Sequence, residues 1–173
     1  MRYVLENEIF KAEIDSFGAE LKSVRRKSDD KEYMWYGDEK YWGRTAPILF
    51  PFVGNCNGKE YRYGGKTYAI GQHGFARDKE FVLDSQSEDT IWFSQRADEE
   101  TMKKYPFDYI LRIGYRLNEN EIQVMWRVEN PDNKTLYFSI GAHPGFLCPI
   151  NGEADKIGYG LQFGGLKELH HHG

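Results

Sequence analysis

Between residues 109 and 128 the chain alternates at period two, a pattern that few folds accommodate. Tyr109, Leu111, Ile113, Tyr115 and Leu117 are separated by mostly polar residues; Asn118 to Asn120 interrupt the run; Ile122, Val124, Trp126 and Val128 then alternate again. Successive side chains of a strand point to opposite faces, so the pattern describes a β-hairpin with one face buried. Wound into a helix, the same residues would spread their apolar groups around the whole circumference.

Two further hairpins read the same way. Residues 61–63 and 66–70 flank Gly64-Gly65, a pair that tolerates positive φ in the kind of turn that matches strand twist. Residues 81–84 and 90–94 flank the polar segment 85–89. A further apolar run at 136–140 follows Pro131-Asp132-Asn133 and is expected to be a strand. Residues 98–105 are charged, lack alternation and end at Pro106, which predicts one or two turns of helix. Lys22, Arg25, Arg26 and Lys27 are followed at once by Asp29, Asp30 and Glu32, which reads as a solvated turn. Many short strands and a single short helix indicate an all-β fold, an antiparallel β-sandwich or barrel. With no repeat or low-complexity linker, residues 1–173 are expected to form a single domain, the Gly-rich stretch 151–173 being an irregular tail.

Bulk properties narrow the function classes. A chain of 173 residues buries roughly 70% of its unfolded surface and needs no disulfide or metal staple. A net charge of −4 argues against an extended phosphate-binding face, so nucleic acid is not an expected partner. Glu6, Glu8 and Lys11 interrupt every N-terminal apolar run, and no stretch of ~18 apolar residues exists, so neither a signal peptide nor a membrane span is expected. Cys56 and Cys148 stand in no metal-ligand spacing and are expected as free thiols in a reducing, cytoplasmic setting. The 12 Tyr, 11 Phe and 4 Trp suit half-buried strands. Tyr and Trp also carry a polar tip on an apolar body, which fits amphipathic ligands such as sugars.

Of five histidines, His170, His171 and His172 form a terminal run that is set aside as a tag remnant or exposed tail. The remaining two lie in similar company. His73 sits in Gly71-Gln72-His73-Gly74-Phe75-Ala76-Arg77, after the 66–70 strand, and His143 in Gly141-Ala142-His143-Pro144-Gly145-Phe146, after the 136–140 strand. Flanking glycines let the backbone turn sharply and a ligand approach. Imidazole exchanges protons near neutral pH, so both are candidates for acid/base work, against the blander role of satisfying a turn. A third block, Arg44-Thr45-Ala46-Pro47-Ile48-Leu49-Phe50-Pro51, begins with a guanidinium that either pairs with a carboxylate at the core edge or donates to a ligand. A metal site built on two histidines seventy residues apart lacks an obvious third ligand.

These three blocks, in this order, resemble the aldose 1-epimerase (galactose mutarotase-like) family, specifically the LacX-like subgroup, over about residues 1–150. The resemblance implies a large antiparallel β-sandwich that interconverts the α and β anomers of an aldose, its small-molecule partner, with no metal or organic cofactor. In such enzymes a carboxylate takes the C1 hydroxyl proton while a histidine protonates the ring oxygen. Carried over, His143 is the general acid, His73 hydrogen-bonds the sugar, and Arg44, Arg77 and Gln72 are the candidate substrate contacts. Where galactose mutarotases carry an Asn-Arg pair, this chain reads Gly54-Asn55-Cys56-Asn57. The family's general-base Glu lies in its C-terminal part, and none of Glu153, Asp155 or Glu168 stands in a matching context. A noncatalytic sugar-binding protein on the same scaffold is the alternative. A sandwich shortened in this way exposes strand edges and apolar faces, a liability for association that includes homo-oligomers.

Overall fold

The computed structural model describes residues 1–150, 152 and 158–164. Its architecture is almost entirely antiparallel β. Strands β1 (Arg2–Glu6), β2 (Phe10–Asp15), β3 (Glu20–Arg26) and β4 (Lys31–Glu32) form one four-stranded sheet in chain order. In β2, Ala12 and Ile14 point into the core while Lys11, Glu13 and Asp15 are partly solvated, the alternation expected of a one-sided sheet. The basic group at residues 22–26 lies on β3, so the expected solvated turn begins only at Lys27. Arg26 pairs with Asp29 at 2.6 Å and Arg25 with Asp30 at 3.0 Å across that turn, while Lys27 reaches Glu6 at the end of β1 at 2.6 Å.

After the short strand β5 (Ile48–Leu49), the hairpin of β6 (Glu60–Tyr63) and β7 (Lys66–Ala69) turns at Gly64-Gly65, as the sequence predicts. A second four-stranded sheet follows, built from β8 (Val82–Gln86), β9 (Thr90–Arg96), β10 (Ile110–Asn118) and β11 (Glu121–Glu129) in the order β11-β10-β9-β8. The hairpin read from the period-two run is β10–β11, with Ile113 opposite Trp126 and Tyr115 opposite Val124. Helix α1 (Glu99–Lys104) is capped by Asp98, whose carboxylate accepts the Thr101 N–H at 2.7 Å while the Thr101 hydroxyl accepts the Asp98 N–H at 2.8 Å. That reciprocal pair satisfies two of the helix's open donors, and Pro106 lies just beyond its end.

The two sheets share one apolar interior. Leu5, Ala12 and Ile14 belong to the same buried cluster as Ile91, Phe93, Leu111, Ile113, Tyr115 and Leu117. Tyr3 meets Phe93 edge-to-face at 5.2 Å, and the buried Tyr115 hydroxyl reaches across to the Ala19 carbonyl at 2.6 Å. A second aromatic layer, Phe50, Phe75, Tyr105, Phe107 and Tyr109, continues that interior beneath the histidine blocks.

The expected strand at 136–140 is not a strand; only Gly141–Ala142 (β12) pairs with β5. The physical reason lies opposite it, where Pro51 has no N–H to offer a ladder. Two isolated bonds replace the ladder: the Ser139 N–H donates to the Pro51 carbonyl and the Val53 N–H donates to the Ser139 hydroxyl, both at 2.9 Å. Both cysteines are free, as expected. The 170–172 histidine run, Glu153, Asp155 and Glu168 lie outside the described residues. Among the described residues no helix is long and apolar enough to cross a membrane.

Candidate functional site

His73 and His143 are held by neighbouring parts of one small region. The Phe50 carbonyl accepts the N–H groups of Phe75 at 3.0 Å and Ala76 at 3.1 Å, which pins the His73 loop against the segment that follows β5. Gly74 makes that approach possible. Its φ is +73°, and a Cβ there would fall 2.3 Å from the Phe50 oxygen, so only glycine fits. His73 itself adopts φ +64°, uncommon outside glycine, and is fixed by a reciprocal pair. Its N–H donates to the Gly54 carbonyl at 2.8 Å, and its Nδ1 accepts the Gly54 N–H at 3.0 Å.

The latter bond determines the tautomer. With Nδ1 occupied as an acceptor, the neutral ring carries its proton on Nε2, which is left to donate. Burial pushes the His73 pKa below its ordinary value, and the nearby charges of Arg77 and His143 act in the same direction. His73 is therefore a neutral donor at physiological pH.

His143 follows β12, which pairs Gly141 with Leu49 and Ala142 with Ile48; the His143 N–H then continues to the Pro47 carbonyl at 3.2 Å. Its ring is exposed, lies 6.2 Å from the His73 ring centre to centre, and rests 4.9 Å from the indole of Trp42. Chain segments seventy residues apart thus deliver two imidazoles to one place.

The three predicted substrate contacts are linked in a chain, Arg77 meeting the Gln72 carbonyl and Arg44 the Arg77 carbonyl. Arg77 sits in a 3-10 turn (Ala76–Asp78) and donates to the Gln72 carbonyl at 2.8 Å. Its Nε is buried without a hydrogen-bond partner, the nearest carboxylate oxygen of Asp78 standing 3.9 Å away. Burial, then the charge of Arg44, draws the Arg77 pKa below its ordinary value. Arg44 donates to Asp78 at 2.6 Å, with a longer contact to the Arg77 carbonyl at 3.4 Å. Of the two roles the sequence left open for Arg44, the carboxylate pair is present, and it is half-solvated rather than a core ion pair. The Gln72 side chain is exposed, and the backbone carbonyl of that residue is what meets Arg77.

Two supporting residues were not read from the sequence. Glu20 is buried at the start of β3 and accepts the N–H groups of Thr45 at 2.6 Å and Ala46 at 2.8 Å, with Lys22 3.3 Å from its other oxygen. It thereby orients the strip that leads into β5 and hence His143. Its signal is weak, an acidic residue among basic ones on a strand. Trp42, two residues before Arg44, has its ring centre 4.9 Å from that of His143. Among the described residues no three His, Cys, Asp or Glu side chains cluster as metal ligands, and no hydrogen bond or ion pair joins a carboxylate to either imidazole of the site.

Comparison with known proteins gives one consistent family. The sequence model described as aldose 1-epimerase matches residues 1–170. The plasmid-encoded LacX protein of Lactococcus lactis subsp. lactis is 34% identical over 169 residues, covering 94% of this chain and 56% of that protein. A galactose mutarotase related enzyme from Lactobacillus acidophilus superposes with a TM-score of 0.87 at 41% identity, over 90% of this chain and 52% of that one. A galactose mutarotase-like protein from Lactobacillus casei ATCC 334 gives 0.82 at 44% identity, over 84% and 50%. The chain spans about half the length of these relatives. The sequence match and the galactose mutarotase-like fold agree: the chain belongs to the aldose 1-epimerase family, on its LacX-like branch.

Proposed function

We propose that the His73–His143 region binds a free aldose and serves the interconversion of its anomers by acid/base ring opening. The observation that carries this reading is the convergence of the two rings at 6.2 Å, one fixed as a neutral Nε2 donor and the other exposed. In the forward step His143 protonates the ring oxygen as the C1 hydroxyl surrenders its proton to a base. The C1–ring oxygen bond breaks, its electron pair stays on that oxygen, and C1 becomes a carbonyl. Rotation about C1–C2 and reversal of the proton transfers close the other anomer, with no net redox change. The Nε2–H of His73 donates to a sugar hydroxyl, and Arg77 and Arg44 supply guanidinium donors at the rim. The base is the carboxylate that the family resemblance implies, and no described residue is assigned to it.

A second reading is a sugar-binding protein on the same scaffold without turnover. It keeps the histidines and arginines for recognition and needs no general base, a role to which no described residue is assigned. NMR exchange between the anomers of glucose or galactose separates the two. A positioned general acid contributes roughly 10²–10⁴ in rate, so His143→Ala is expected to lose that acceleration with the fold unchanged. Acceleration surviving in His143→Ala removes the acid assignment. Sugar binding without acceleration in the unmodified chain selects the second reading.

A further inference from the structure

The exposed ring of His143 has one neighbour that the proposed proton transfers do not use, the indole of Trp42. The two ring centres are 4.9 Å apart, with their planes inclined at 49°. Trp42 is anchored from three directions. Its N–H donates to the Asp38 carbonyl at 2.8 Å, and its carbonyl accepts the indole N–H of Trp35, also at 2.8 Å. The ring itself lies against Gly145, where a Cβ would approach within 2.8 Å of Cζ3. Gly145 is fixed in turn, donating to the Thr45 carbonyl at 2.7 Å and accepting from the Trp35 N–H at 2.9 Å.

Such anchoring does not serve the core. Trp42 is absent from the buried apolar cluster and from the partly buried residues packed on it, and its side chain remains part solvated. A flat apolar surface is thus held rigidly beside the exposed imidazole of His143. A pyranose ring has the complementary form, hydroxyl groups around its rim and C–H groups on its faces. Ligand sites commonly pair a few convergent polar groups with apolar or aromatic walls, and an indole presents an electron-rich face to C–H donors.

We propose that Trp42 is a specificity-determining wall of this site, stacking on the C–H face of a pyranose whose ring oxygen is directed to His143. The inference rests on the sugar-handling reading above and adds a selection: cyclic aldoses are retained, and an acyclic polyol such as sorbitol, which has no ring face, is not. The role of Trp42 is that of a contact and positioning residue for substrate, separate from the proton transfers.

The test is an NMR titration of the full chain with glucose, galactose and sorbitol, following indole N–H and imidazole signals. The indole signal of Trp42 is identified by its loss in Trp42→Phe. With aldose, the signals of Trp42 and His143 are expected to shift together, while Trp92 and Trp126 on the second sheet stay fixed. Sorbitol is expected to move neither. Aromatic contacts of this kind correspond to roughly two- to tenfold in affinity, so Trp42→Leu should weaken aldose binding by about tenfold and Trp42→Phe by less. Unmoved Trp92 and Trp126 signals in the variants report that the fold is intact. Aldose that shifts His143 but not Trp42, or binds Trp42→Leu as tightly as the unmodified chain, overturns the inference and leaves the site reading in place. Equal binding of sorbitol overturns it as well. Aldose that shifts neither histidine overturns the site reading, and the inference falls with it.

Discussion

Replacing Gly74 by alanine isolates the contact on which the placement of His73 depends. The added Cβ would stand 2.3 Å from the Phe50 oxygen and 2.5 Å from its carbon, both backbone atoms that no rotamer change can move aside. The backbone at φ +73° costs an alanine about 1 kcal/mol. Relieving the overlap pulls the Phe50 carbonyl from the Phe75 and Ala76 N–H groups, bonds of 3.0 and 3.1 Å in a buried setting. Each such bond is worth about 1 kcal/mol net, and more where a buried donor is left without water. The expected loss is therefore about 3–4 kcal/mol, on the order of 10 °C in Tm. Urea unfolding followed by tryptophan fluorescence measures it. Gly65→Ala is the internal control, since Gly65 also has positive φ, +76°, but no heavy atom lies within 4 Å of its would-be Cβ. That variant should lose only about 1 kcal/mol. Equal losses in the two variants would refute the close approach of Gly74 to Phe50 and the loop placement derived from it.

Glu20→Ala leaves the Thr45 and Ala46 N–H groups without their buried acceptor and should cost about 2–4 kcal/mol, measured by the same unfolding assay. For Arg44 the partly solvated pair with Asp78 is worth under ~1 kcal/mol, so Arg44→Ala should barely change stability. If Arg44 is also a sugar donor, aldose affinity in that variant falls by roughly tenfold by NMR titration; unchanged affinity assigns it to Asp78 alone. The His73 pKa is depressed in the folded chain, so the unfolded state binds the proton more readily. Its contribution to stability is complete above the ordinary histidine pKa and is lost as pH falls toward and through the lowered folded value. Urea unfolding between pH 8 and pH 5 should show that acid loss, and His73→Gln should flatten it; an identical pH profile in the variant contradicts the depressed pKa.

The sequence was most legible where a single local rule decided the outcome. Tyr109 to Leu117 alternate because β10 buries one face, whereas on β11 the pattern marks the strand but Val124 and Trp126 stay exposed, and Gly64-Gly65 turns because both residues adopt positive φ. Asp98 and Pro106 bound α1 through capping and the missing N–H of proline. Legibility failed where a distant partner decided. Residues 136–140 are as apolar as a strand, but their neighbour across the sheet contains Pro51, and a run of residues does not reveal what will lie opposite it. In β2 and β3 the alternation is short and crowded with charge, so Lys22, Arg25 and Arg26 read as a turn although all three lie on β3.

The candidate site divides along the same line. The glycine-bracketed histidines and Arg44 stand out because their residue types are unusual in those surroundings. That His73 and His143 meet is a property of β5, which receives β12 on one side and the Gly74 loop through Phe50 on the other. Glu20 works through two backbone N–H groups twenty-five residues away, and Trp42 through the shape of Gly145; neither relation leaves a spacing pattern. The Gln72 carbonyl, used in place of its amide, could not be distinguished from sequence at all.

The central claim is that His73 and His143 act on one sugar as a unit. Its most direct test is the rate of anomer exchange of glucose and galactose, by NMR, in the unmodified chain, His73→Ala, His143→Ala and the double variant. Residues that act as a unit are strongly non-additive. The account predicts exchange faster than in buffer, a loss of roughly 10²-fold or more in His143→Ala, and a double variant no worse than that single one. Exchange no faster than buffer, or losses that multiply in the double variant as for independent sites, would contradict it.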